Sequence, residues 1–94
     1  MREIEFTRTT DEIRSIEEGE KEFVQIANIL VKSLEWKLIK QIEADVLLWV
    51  FQKNSTEIIL VYDDMDGMFL KTHDENFPLE SLFNEINDIL NKGL

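Results

Sequence analysis

The residues best equipped for chemistry in this sequence are the carboxylates of Asp63-Asp64-Met65-Asp66-Gly67. Acids at this spacing could hold calcium. An EF-hand loop needs oxygen ligands at positions 1, 3 and 5, glycine at 6 and a glutamate at 12. With Gly67 at the sixth position, Asp64 and Asp66 fall correctly, but Tyr62 takes the first position and His73 the twelfth. Two essential ligands are missing, so the segment reads as an acidic hairpin turn and no metal site is expected. His73 is the only histidine, in Thr72-His73-Asp74-Glu75. A general base needs an orienting partner that converges on it, and an adjacent loop aspartate does not supply one. Ser33, Ser55 and Ser81 sit in no nucleophile elbow, and no glycine-rich loop could cradle a phosphate. Two carboxylates flanking a cleft could hydrolyse a glycoside, but a chain this short shows no sign of one. The reading is a protein without catalysis and without a cofactor.

Charge is more informative than motif. The chain has 94 residues, 20 acidic and 10 basic, for a net charge of −10. Residues 1–22 hold eight acids and four bases, residues 23–56 three and four, and residues 57–88 nine and one (Lys71). The acidity therefore belongs mainly to the last third, which points to a charged face rather than an evenly charged surface. Nucleic acid and anionic membrane surfaces are not expected as partners, since both call for a basic footprint. With no cysteine there is no disulfide framework and no thiolate site. The polar, alternating start MREIEF is no signal peptide, and a cytoplasmic protein is expected.

These residues need elements to position them. Three glycines, one proline and no repeat or linker indicate one α+β domain over residues 1–94. Glu3-Ile4-Glu5-Phe6 alternates as a short strand. Thr9 and Glu12 form a capping box, which predicts a long N-terminal helix, kinked or broken near Gly19. Phe23, Ile26, Ala27, Leu30 and Leu34 continue its apolar stripe. Strands are predicted over 36–39, 46–51, 57–62 and 68–71, with a tight turn at Asp66-Gly67. Pro78 then opens a helix at its first position, with Leu79, Leu82, Phe83, Ile86, Ile89 and Leu90 on one side, Lys92 near the C-terminal dipole and Gly93 as the stop. The expected architecture is an antiparallel β-meander with both helices packed on one face.

Two surfaces follow. Asp63, Asp64, Asp66, Asp74 and Glu75 crowd one hairpin with only Lys71 to offset them, and a cationic partner would relieve their repulsion. The acids of Glu17-Glu18-Gly19-Glu20-Lys21-Glu22 have a plainer explanation, because the helix dipole favours them at that end. The central strands are apolar on both sides: Val46, Leu48 and Val50 on one, Leu47, Trp49 and Phe51 on the other. Central strands of one domain are often buried on both sides. Here the second face is covered either by the N-terminal segment or by another chain. If it is open, Trp49 or Tyr62 could anchor a partner.

Short length, acidity, the α+β order and the stretches EFVQIANIL and EIILVYDDMDGMFLKTHDENFPLESLF give the whole chain a resemblance to the small immunity proteins of bacteria, including those that accompany contact-dependent growth inhibition toxins. That family is a functional class of many folds, and none of its residues maps onto a numbered position here. The resemblance implies tight binding to a cognate toxin, usually a cationic nuclease domain. The alternative is a homodimeric structural or adaptor domain joined through the second sheet face.

Overall fold

The continuously apolar runs Val46–Phe51 and Ile58–Tyr62 become the middle of a five-stranded antiparallel sheet in a computed structural model, which describes residues 1–6 and 16–92, with backbone only at 16 and 17. The strands are β1 (Arg2–Glu5), β2 (Lys37–Glu43), β3 (Val46–Lys53), β4 (Thr56–Asp63) and β5 (Gly67–Thr72), in the spatial order β1-β5-β4-β3-β2. Strands β2 to β5 form the expected meander. Strand β1 joins it at the far edge, Ile4 opposite Leu70 and Glu5 opposite Phe69. Helix α1 (Ile16–Asn28) runs into a π turn (Ile29–Ser33), and α2 (Leu79–Asn91) closes the described chain. The fold is α+β.

Both helices pack on one face of the sheet. Phe23, Ile26 and Leu30 from the first helical segment and Leu79, Leu82 and Ile86 from α2 meet Phe51, Ile58, Leu60, Tyr62, Met68 and Leu70 in one core cluster. Phe83 is half-buried and stacks at a tilt on Phe6, with ring centroids 4.7 Å apart. Burying this apolar surface is the main drive to fold, at about 25 cal/mol per Å² removed from water.

The helix boundaries correct the expectation of a long N-terminal helix. Helix α1 starts at Ile16 and passes through Gly19 without a break. The Thr9–Glu12 capping box and the Gly93 stop lie outside the described residues. Pro78 is the residue before α2 rather than its first helical residue, and its ψ of 74° shows it outside the helix.

The first helical segment ends through an unusual device. Leu34 N–H reaches back five residues to the Ile29 carbonyl (3.0 Å), and Trp36 N–H bonds the Leu30 carbonyl (2.8 Å). Between them Glu35 adopts a left-handed φ of 63°, where helix ends normally place glycine. The Lys53 ammonium, from the β3–β4 hairpin, donates to the Leu34 carbonyl at 2.8 Å and fixes this terminus to the sheet. Left-handed backbone costs a side-chain-bearing residue about 1–2 kcal/mol, partly offset in glycine by its freer unfolded chain. Glu35→Gly should therefore raise stability by about 0.5–1 kcal/mol in urea denaturation. A loss instead would mean that the glutamate side chain makes a contact worth more than the strain.

Candidate functional site

The acidic turn is built by its own side chains. Strands β4 and β5 pair up to Asp63 opposite Gly67, leaving Asp64, Met65 and Asp66 to reverse the chain. Asp63 Oδ1 accepts the Met65 N–H at 2.9 Å, the local turn bond that aspartate readily makes. Gly67 has a φ of +109°, which favours glycine, and a Cβ there would lie 3.3 Å from Oε2 of the exposed Glu5 side chain, which places that carboxylate beside the turn. Met65 stands out at 89% exposed, with Asp64 and Asp66 exposed on either side.

The contact with Gly67 adds a carboxylate that the local sequence does not reveal. Pairing of β1 with β5 carries Glu5 to the same end of the sheet as Asp63, Asp64 and Asp66. Four acids therefore gather there. The one signal for Glu5 was its place in an alternating strand, and alternation does not say which strand becomes its neighbour.

Asp74 and Glu75 are not part of this group. They follow β5, whose six residues separate them from the turn by roughly 20 Å. The expected cluster of five carboxylates thus splits into three and two. Asp74 Oδ1 accepts the Asn76 N–H (2.9 Å), while its own N–H bonds the hydroxyl of fully buried Thr72 (3.1 Å). Arg2 Nη1 donates to the carbonyl oxygens of Asp74, Glu75 and Phe77 at 3.0, 3.3 and 2.6 Å. This loop is shaped by bonds that join the N-terminal strand to the start of α2. His73 is exposed beside it.

Trp49 and Tyr62 lie on the helix-covered face, which corrects the idea that either anchors a partner on the open one. Trp49 is half-buried and meets Phe23 edge-on, with centroids 5.0 Å apart at 84°. Tyr62 is buried against α1 at Gly19. The open face is formed by the other set: Val46, Leu48 and Val50 of β3, Ile59 and Val61 of β4, and Phe69 of β5, with Ile42 of β2. None of these joins the helix-side core, and no described helix packs on them.

A cleft of about 410 Å³ opens where the π turn meets α2. Trp36 and Phe77 meet edge-to-face in its wall at 5.7 Å, and Lys53, Ser81 and Glu85 line it. Ser81 has no histidine beside it there, and Lys53 already serves the helix terminus. Among the described residues, no three His, Cys, Asp or Glu side chains are grouped to hold a metal ion. No helix among them is long and apolar enough to cross a membrane.

No protein-family model, curated protein or solved structure matches this chain. What bears on function is the chemistry of its surface. The turn carboxylates and the open sheet face are what that chemistry offers.

Proposed function

We propose that the chain is an immunity protein that binds and neutralises a cognate cationic toxin domain, a nuclease in the simplest case, from the cytoplasm of the producing cell. The observation that carries this reading is the exposed acidic turn, where Glu5, Asp63, Asp64 and Asp66 converge at one end of a rigid sheet. Nucleases are basic because their substrate is a polyanion, so an acidic protein surface competes for the same site. Opposite charges speed encounter and fix register, and paired contacts then slow release. Asp74 and Glu75, at the far end of β5, act only if the toxin surface is broad enough to span the sheet.

The test requires a toxin domain encoded next to this chain, and the absence of one would favour the dimeric adaptor instead. Asp63→Asn, Asp64→Asn and Asp66→Asn together remove three charges, and asparagine at 63 can still accept the Met65 N–H. Association at low salt should slow by roughly tenfold, and the difference should shrink as salt is added. Growth protection on co-expression should fall with it. Full protection with unchanged association would remove the turn from the mechanism.

A further inference from the structure

We infer that the open face of the sheet is the contact surface for a second copy of this chain, related by a two-fold axis parallel to the strands. This goes beyond toxin binding and does not depend on it. Adjacent strands place their outward residues in cross-strand rows. One row reads Glu3, Lys71, Ile59, Val50, Lys40, and the next reads Glu5, Phe69, Val61, Leu48, Ile42. The centre is apolar apart from Lys71, whose ammonium lies over the Phe69 ring: Val50 and Val61 are largely buried by their neighbours at 9% and 8% exposed, with Leu48, Ile59 and Phe69 half-buried beside them. The β1 edge is acidic through Glu3 and Glu5, and the β2 edge is basic through Lys37 and Lys40.

This charge layout selects the occupant and its orientation. A two-fold axis along the strands lays β4 over β4 and β1 over β2 of the other copy. Glu3 then faces Lys40 within the same row, while Phe69 faces Leu48 and Val61 faces its own counterpart. An axis across the strands would instead set Glu3 over Glu5 and Lys40 over Ile42, like over like on the acidic edge. Only the first arrangement pairs Glu3 with Lys40, although it also sets Glu57 and Asp63 of β4 over their own counterparts and Lys71 over Val50. Facing sheets pack about 10 Å apart with their strands within about 30° of each other, so such pairing is sterically ordinary. An isologous contact of this kind also closes on itself and does not propagate into fibres.

Size sets the strength. Five strands at about 4.8 Å and six residues at about 3.3 Å give a footprint of roughly 24 by 20 Å. Two copies would bury on the order of 1,000 Å², the lower end for specific interfaces, which suits a weak, concentration-dependent dimer. The same axis brings Asp63 near its own counterpart, because β4 lies on it. Asparagine at 63 should therefore tighten the dimer, the opposite of its effect on a cationic toxin.

Sedimentation velocity of the full chain between about 1 and 500 μM tests this, with thermal melts to confirm that each variant folds. The native protein should shift from monomer to dimer across that range. Leu48→Lys should leave a folded monomer. Glu3→Lys and Lys40→Glu should each weaken association by roughly fivefold to tenfold, and the double variant should recover most of the loss. Recovery is the decisive readout, because a merely destabilised fold would not regain affinity from a second charge reversal. A monomer at every concentration would overturn the inference, as would a dimer indifferent to Leu48→Lys or a charge swap without recovery. None of these three failures touches the toxin-binding reading, since that reading is measured at the turn.

Discussion

Phe23→Ala should remove about 3–5 kcal/mol of stability, the cost of truncating a fully buried phenylalanine. Phe23 is fully buried on the inner side of α1 and meets Trp49 edge-on. The truncation loses its transfer energy, leaves a cavity that α1 and β3 cannot both close, and breaks an aromatic pair worth about 0.5–1.5 kcal/mol beyond area. A domain of this length holds roughly 5–14 kcal/mol in all, so the loss is a large share of the total and would leave the variant partly unfolded at the low end of that range. Urea denaturation should show the midpoint falling steeply with the slope unchanged. Val24→Ala, one residue along and 44% exposed in the native chain, is the control and should stay within about 0.5 kcal/mol. Equal losses at both positions would mean that the inner side of α1 is misassigned.

That contrast shows what could be read from the sequence and what could not. Helical spacing marked Phe23, Ile26 and Leu30 as one stripe, and all three are buried. The same holds for Leu79, Leu82 and Ile86 in α2, whereas Phe83, Ile89 and Leu90 sit at the margin of the stripe and are half-buried. Periodicity is a local property and reports local facts well. Pairing is not local. Nothing near Glu3-Ile4-Glu5-Phe6 says that its neighbour lies some 65 residues away in β5, and the Glu5 carboxylate beside Gly67 was hidden for that reason. The two faces of β3 posed the same difficulty. Trp49 and Leu48 alternate correctly in sequence, but with both sets apolar only the arriving helices decide which set becomes core. The acids of 63–75 looked like one cluster because sequence distance ignores that a strand is extended, and β5 holds its two ends roughly 20 Å apart.

Gly19 carries the last argument, because helix propensity and packing give opposite signs. Glycine inside a helix costs about 1 kcal/mol relative to alanine, so Gly19→Ala would stabilise an isolated α1. The native packing forbids it. A Cβ at this position would fall against the hydroxyl and ring of Tyr62, with Cε1 at 2.9 Å and the other ring contacts closer still. Tyr62 is buried in the central strand β4, paired with Leu47 on one side and Met68 on the other, so its ring has little room to retreat. Forcing a methyl into such a site costs up to about 3 kcal/mol, which leaves a net loss of up to about 2 kcal/mol after the helical gain. Tyr62→Leu removes the ring and makes room, so the pair of substitutions should be less damaging than their sum by more than about 1 kcal/mol. Thermal or urea unfolding of the two single variants and the double variant measures that coupling directly. If Gly19→Ala instead raised stability, α1 would have to sit farther from β4, and the reason for glycine at this point in the helix would have to be sought elsewhere.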